Sequence, residues 1–323
     1  MLDELLSFRP IYQERIWGGR QLATVFGREL PDPSLPFGES WEVVDRPEAN
    51  SLVASGPLAG QTLQALWTQH RAEIFGPALV RHPAARFPLL MKILDARDDL
   101  SIQVHPPASV ATSLQGEPKT EMWFIANAEP GAKIYAGLKH GVTRESFEQS
   151  LHDGTVAEQV HVLSPQTGDC LFIPSGRIHA IGAGLLIYEI QQNSDTTYRV
   201  FDWNRRGLDG QPRQLHVEES LASIDFDDFE PTLQSAHSGA PLVRCPFFQV
   251  DLCSPSKADA ASLIGQLGES LTLAVTRGHL TLGEQRLQAG DFALLPATLS
   301  PAKRAINTAS DDAQWLEVRV RND

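Results

Sequence analysis

The chain has 323 residues, 42% of them hydrophobic and 21% charged, with a net charge of −13. That composition supports a buried core and excludes a disordered tail. The acidic balance speaks against a nucleic-acid or membrane-surface binder, since both partners are anionic, and leaves open a locally basic pocket for a small anion. No apolar run reaches the about 18 residues of a membrane-spanning helix, and Met1-Leu2-Asp3-Glu4-Leu5-Leu6 does not read as a signal peptide. Cys170, Cys245 and Cys253 have no ligand or disulfide spacing. A reducing, cytoplasmic setting is expected.

In chain order, residues 1–60 read as short strands and turns. Arg15-Ile16-Trp17-Gly18-Gly19 reads as a turn, and Phe37-Gly38-Glu39-Ser40-Trp41-Glu42-Val43-Val44-Asp45 as a turn feeding a strand. Apolar residues from Thr62 to Ile74 fall at helical spacing, and Gly76-Pro77 stops the pattern. Phe87 to Asp95 and Leu100 to Val104 suit buried strands, with a short helix over 107–115 and further strands over 121–127 and 133–135. Thr143 is an N-cap candidate for a helix reaching Gly154, with another helical turn over 156–160. Gly168-Asp169 signals a hairpin before Leu171-Phe172-Ile173, and 185–191 is another strand. A polar loop over 205–210 precedes a helix candidate over 215–224. Residues 226–241, with Asp227, Asp228, Ser235 and Gly239, read as a linker. A second β unit follows, with strands over 247–252, 271–275, 278–282, 291–295 and 315–320. The 22 prolines and 24 glycines fit frequent turns between short strands.

Two octapeptides echo one another. Gly168-Asp169-Cys170-Leu171-Phe172-Ile173-Pro174-Ser175 compares with Gly290-Asp291-Phe292-Ala293-Leu294-Leu295-Pro296-Ala297. Only the first is followed by a histidine, His179, five residues after its proline. Two barrels of related design, one of them metal-bearing, would explain the echo. Gln103 and His105 alternate on a strand and so face the same side. With Glu121 and His179 they offer two imidazoles, a carboxylate and an amide oxygen, which suits zinc and would accept manganese, iron or cobalt. The other eight histidines read as ordinary hydrogen-bonding groups.

Gly168, then five residues, then Pro174-Ser175-Gly176, two residues and His179 matches the second cupin motif. The first cupin motif is partial, with Gln103-x-His105 in place of His-x-His. Asp98-Asp99-Leu100-Ser101-Ile102-Gln103-Val104-His105-Pro106, Pro118-Lys119-Thr120-Glu121-Met122-Trp123 and Ile178-His179-Ala180 together resemble type I mannose-6-phosphate isomerases. So do Trp17-Gly18-Gly19, Gly38-Glu39-Ser40-Trp41-Glu42 and Asn193-Ser194-Asp195-Thr196-Thr197-Tyr198-Arg199. The resemblance covers roughly the first two-thirds of the chain and corresponds to a compact form without the family's large helical insertion.

The resemblance implies a mainly β fold: a cupin (jelly-roll) barrel over 1–235, with short helical insertions near 60–76 and 143–161, and a smaller, metal-free cupin-like β domain over 236–323. It implies a zinc-dependent aldose–ketose isomerase acting on mannose 6-phosphate and fructose 6-phosphate through a cis-enediol, with one Zn²⁺ per chain. Its ligands would be Gln103, His105, Glu121 and His179. Arg199 matches the family's active-site arginine, which would favour the enediolate electrostatically. Glu189 is either the general base or a carboxylate that orients Arg199 or a ligand histidine. Lys92 and Lys119 look like substrate contacts and Ser101 a phosphate contact. Arg205 and Arg206 read as phosphate contacts or a solvated basic loop. Glu39, Trp41 and Glu42 are candidates for the mouth, and Trp17 and Trp41 for stacking on the sugar, although an aromatic in a barrel is more often core. The expected partner is a small sugar phosphate, with no nucleic acid and no membrane, for a monomeric cytoplasmic protein. The competing reading is a non-catalytic, metal-bound sugar-phosphate-binding cupin.

Overall fold

The computed structural model describes residues 2–235, 241–255 and 263–322. The chain divides into two compact units, one of residues 12–40 and 92–235, the other of 1–11, 41–91 and 236–323. This partition differs from a division by chain order, because residues 1–11 and 41–91 group with the C-terminal segment. Gly239 of the expected linker lies outside the described residues, while Gln234–Ser235 just before it pairs as a strand with residues 169–170.

The first unit is built on β1 (Ile11–Gly19) from Tyr12 on, β2 (Phe37–Val43) as far as Ser40, β3 (Leu89–Ala96) from Lys92 on, β4 (Ile102–Val104), β5 (Glu121–Ala128) and β6 (Ile134–Leu138). It continues through β7 (Val160–Leu163), β8 (Asp169–Ile173), β9 (His179–Ile181), β10 (Leu185–Gln192), β11 (Tyr198–Phe201) and β12 (Gln234–Ser235). One sheet runs β1-β2-β3-β10-β5-β8-β12 and another β11-β4-β9-β6-β7. Two mainly antiparallel sheets with short helices between strands are the cupin arrangement. Two apolar clusters hold the unit together. Leu94, Trp123, Ile125, Ile134, Leu171 and Ile187 belong to one, and Ile102, Val104, Phe147, Ile178, Tyr198 and Val200 to the other. Fully burying each such Leu, Ile or Phe side chain contributes about 1.5–3 kcal/mol.

The helix Arg144–Asp153 starts where Thr143 Oγ1 accepts the Ser146 amide at 3.2 Å. Ser146 Oγ answers the Thr143 amide at 3.0 Å, closing a reciprocal cap. Gly154, at φ +71°, ends the helix in the left-handed conformation. Residues 15–19 correct the expected turn, for they lie inside β1. Gly18 and Gly19 serve close packing there. A Cβ on Gly18 would sit 2.5 Å from the Gly38 amide nitrogen, and one on Gly19 2.2 Å from an Asp95 oxygen.

The second unit has a five-stranded sheet ordered Pro241–Arg244, Phe248–Cys253, Gln314–Val320, Leu271–Arg277, Phe292–Leu295. A three-stranded sheet combines Gln285–Gln288, His279–Leu282 and Ile306–Ala309. Its helix Leu63–Gln69 is capped by Thr62 Oγ1, which accepts the Ala65 amide at 3.0 Å, and buries Trp67. The guanidinium of Arg304 is fully buried and donates to the carbonyls of Ile264, Glu269, Pro296 and Leu299.

The octapeptide echo has a structural counterpart. Gly168 and Gly290 have φ of +93° and +94°. Asp169 accepts the Gln166 amide at 2.8 Å, and Asp291 the Gln288 amide at 2.9 Å. The same Gly-Asp turn therefore opens a strand in each unit.

Candidate metal centre and its cavity

Strand alternation decides which side chains meet. On β4, Ile102 and Val104 enter the apolar cluster, so Ser101 and Gln103 face the other way into a cavity of about 660 Å³. On β10, Tyr188 turns away and packs edge-on to Phe124, with ring centroids 6.4 Å apart. Glu189 and Gln191 take the opposite face. Register does the rest: Gln103 lies opposite both His179 and Arg199, Glu121 opposite Gln191, and Trp123 opposite Glu189. The turn carrying His179 is fixed by Gly176, at φ +96°. Its amide donates to the His105 carbonyl at 2.9 Å and ties two ligand segments together. Arg177 pairs with Asp228 at 2.7 Å from the same turn.

His105, Glu121 and His179 converge, each fully buried, with one potential ligand atom apiece within 4.8 Å of the others. His105 Nε2 is 3.6 Å from Glu121 Oε2, and His179 Nε2 is 3.4 Å from Glu121 Oε1. Two ligands about 2.1 Å from one tetrahedral ion would be about 3.4 Å apart. Gln103 Nε2 lies 3.3 Å from His179 Nε2. Exchanging the amide nitrogen and oxygen, which are alike in shape, would point an acceptor at the same place.

The donor chemistry fits a cation. His105 Nδ1 donates to the Thr196 carbonyl at 2.8 Å and His179 Nδ1 to the Arg177 carbonyl at 2.9 Å. Each imidazole therefore turns an Nε2 lone pair inward. His105 Nε2 and Glu121 Oε1 are buried without a hydrogen-bond partner, a costly state that an ion would relieve. Burial holds both histidines in the neutral, ligating form. It pushes His105 well below its ordinary pKa, helped by Lys119, and His179 down to about 4. Burial also raises the Glu121 carboxyl to about 7, against the pull of Lys119.

Gln103 and Lys119 link this cluster to the cavity, since both line it and both touch cluster residues. Lys119 Nζ is 2.9 Å from Glu121 Oε2 and 3.9 Å from Glu189 Oε1. Lys92 Nζ lies 3.4 Å from Glu189, 3.5 Å from Glu39 and 3.9 Å from Asp195. Glu189 Oε2 accepts the Trp123 indole N–H at 3.0 Å. Burial disfavours the Glu189 charge, but Lys119 and Lys92 outweigh it and lower the pKa. Burial likewise opposes the Lys119 charge, and Glu121 and Glu189 outweigh it.

Arg199 also lines the cavity, yet its guanidinium turns to the Gln214 carbonyl at 2.9 Å, not to Glu189. Trp17 and Glu39 line the cavity as well; Trp41 and Glu42 are buried. Arg205 pairs with Asp202, and Arg206 donates to the Gly210 carbonyl. Sequence reasoning missed Asp195, Arg15 and Arg213 as cavity residues. Asp195 had a signal in the family-like motif Asn193-Ser194-Asp195-Thr196-Thr197-Tyr198-Arg199, a polar run between two strands. Arg15 and Arg213 had none.

Residues 5–130 match the family model for the phosphomannose isomerase type I catalytic domain. Over 315 residues the chain is 36% identical to mannose-6-phosphate isomerase ManA of Bacillus subtilis (strain 168), covering 94% of this chain and 96% of that protein. The chain belongs to the type I mannose-6-phosphate isomerase family. A second member, the mannose-6-phosphate isomerase of Streptococcus mutans serotype c (strain ATCC 700610 / UA159), is 35% identical over 309 residues, with 92% and 94% of the two chains covered. The crystal structure of the Bacillus subtilis mannose 6-phosphate isomerase superposes with a TM-score of 0.80 at 27% identity, covering 98% of this chain and 100% of that one. In this member of the type I mannose-6-phosphate isomerases, the metal-ready triad lies outside the segment matched to the catalytic-domain model at one residue, His179.

Proposed function

We propose that the protein is a zinc-dependent isomerase interconverting mannose 6-phosphate and fructose 6-phosphate through a cis-enediol. The observation that carries this reading is a buried cation-ready triad beside a buried carboxylate, Glu189, held ionised by two lysines. Gln103, His105, Glu121 and His179 would hold the ion. When bound, a divalent metal supplies Lewis-acid stabilisation of negative charge on the substrate's C1 and C2 oxygens. Zinc suits two imidazoles with one carboxylate and an amide oxygen.

The protein's own groups divide the rest of the work. Glu189 Oε1 is buried without a hydrogen-bond partner, while Oε2 is held by Trp123. Oε1 is the atom that would take the proton from C2 of the aldose and return it to C1. The net change moves one hydrogen from C2 to C1 and one from the C2 hydroxyl to the C1 oxygen. Lys92 and Lys119 keep Glu189 ionised before substrate arrives, and Lys119 is placed to donate to a sugar oxygen. Arg199, opposite Gln103 in register, would stabilise the enediolate with a permanent charge. Three free cysteines favour a reducing compartment, the cytoplasm.

The test is turnover. Zinc-loaded protein is given mannose 6-phosphate, and fructose 6-phosphate is followed by a coupled assay. Absence of product from protein carrying one zinc per chain would refute the reading. Arg199→Ala should cut turnover strongly while keeping its zinc.

A further inference from the structure

The cavity is charged unevenly. Around the triad, the ammonium groups of Lys92 and Lys119 are already held by carboxylates, so neither is a ready receptor for a second anion. A different set of cations comes from β11 and the hairpin that follows it. That hairpin is closed by Gly207 N–H to the Gln211 carbonyl at 2.7 Å and by the Arg206–Pro212 bridge. Asp202 ties both of its ends, pairing with Arg205 at 2.9 Å and with Arg213.

Arg213 lines the cavity and is about four-fifths buried. Its Nε donates to Asp202 Oδ2 at 2.7 Å, and its Nη2 donates to Oδ1. This engages the Nε–Nη2 edge of the guanidinium and leaves the Nη1–Nη2 edge for another acceptor. Arg199 stands in the same field, with its Nε buried and without a hydrogen-bond partner. Arg205 and Arg213 thus share one buried carboxylate, and Arg199 adds a third positive charge nearby. The remaining acid of the hairpin, Asp209, lines the cavity with its Oδ1 accepting the Gln211 amide. Surplus buried cation on a cavity wall is costly unless an anion meets it. A guanidinium edge matches two oxygens of a phosphoryl group.

We propose that Arg213, oriented by Asp202, receives the phosphoryl group of the sugar phosphate, with the C1–C2 end directed to the triad and Glu189. Arg213 is then a substrate-binding residue and Asp202 a positioning residue. The inference rests on the isomerase reading and names the other end of the same site. It separates the lysines, which tune Glu189, from Arg213, which holds the phosphate.

The experiment compares zinc-loaded wild type with Arg213→Ala, Arg213→Lys, Asp202→Asn and Arg206→Ala. KM and kcat for mannose 6-phosphate are measured, together with the dissociation constant of inorganic phosphate by calorimetry. Losing a charge-assisted pair of hydrogen bonds should raise KM in Arg213→Ala by about 30-fold or more and weaken inorganic phosphate by about tenfold. The change in kcat should be smaller than that in KM. Arg213→Lys keeps the charge without the fork and should give a smaller rise, and it decides the matter if the alanine variant does not fold. Asp202→Asn should raise KM in the same direction, more than it lowers kcat. Arg206→Ala, which removes a charge from the same hairpin outside the cavity lining, should leave KM near wild type. KM and phosphate affinity within about twofold of wild type in the Arg213 variants would overturn the proposal. If wild type itself fails to turn over mannose 6-phosphate, the isomerase reading falls, and the phosphate titration alone decides the Arg213 assignment.

Discussion

Trp123→Phe probes how the proposed base is held, in the sense that it removes one donor and little else. The indole N–H meets Glu189 Oε2 at 3.0 Å, and the ring packs edge-on to His179 with centroids 5.4 Å apart. Phenylalanine keeps an aromatic ring in this 1% exposed position but offers no N–H. A hydrogen bond to a charged acceptor contributes about 1.5–3 kcal/mol. In Glu189 the ionised form benefits more than the neutral one, because a carboxylate oxygen is the stronger acceptor of the indole N–H. Burial disfavours that form, and Lys119, Lys92 and Trp123 together overcome it. Removing the indole donor therefore raises the pH at which Glu189 takes up a proton. The acid limb of kcat should move up by about one pH unit or more. Stability follows the same sign. A carboxyl with a lowered folded pKa stabilises above its unfolded pKa and loses that contribution as pH falls through the folded value. The variant should accordingly be less stable than wild type above about pH 5, and the difference should shrink as Glu189 protonates in acid. The assay is a kcat profile over pH with zinc content measured alongside. An unmoved acid limb in a variant that retains its zinc would refute the assignment of Glu189 as base.

If the triad holds zinc as proposed, His105→Ala and His179→Ala should each bring zinc content from about one per chain to near zero, since each removes one of the few candidate ligands; elemental analysis of dialysed protein checks this. Asp95 carries a different pH signature. Burial raises its carboxyl to about 6, against hydrogen bonds from the Gln21 and Leu22 amides. Its folded pKa lies above the unfolded 3.8, so the folded state holds the proton longer and stability falls as pH rises between these values, by about 3 kcal/mol. Chemical denaturation from pH 3.5 to 7 should show that fall in wild type and lose it in Asp95→Asn. Gly18→Ala should cost about 2–3 kcal/mol, because its Cβ would meet backbone atoms of Phe37 and Gly38 that have no room to move; the denaturation midpoint reads the loss.

What was legible in the sequence had local causes. Gln103 and His105 share a face because strand alternation has a period of two, and Gly168 to His179 is a turn–strand–turn whose spacing is set by backbone geometry. The cap of the helix Arg144–Asp153 was readable for the same reason. What was hidden depends on partners far away in the chain. Gly18-Gly19 read as a turn because glycine usually marks one, yet here it clears space for residues 37, 38 and 95. The strands Gln285–Gln288 and Ile306–Ala309 were missed because they turn mostly polar, partly exposed side chains outward and carry little apolar alternation. Lys92 was recognisable as a cation too costly to bury without a role. That its role is to bridge Glu39, Glu189 and Asp195 follows only from three strands and a loop arriving at one point. Arg213 is the sharpest case. Nothing in Pro212-Arg213-Gln214 distinguishes it from the neighbouring Arg205 and Arg206. It lines the cavity with one edge of its guanidinium held by Asp202, eleven residues earlier. A sequence motif records which groups a site contains, whereas the division of labour among its cations is decided by which carboxylates the fold has already spent on them.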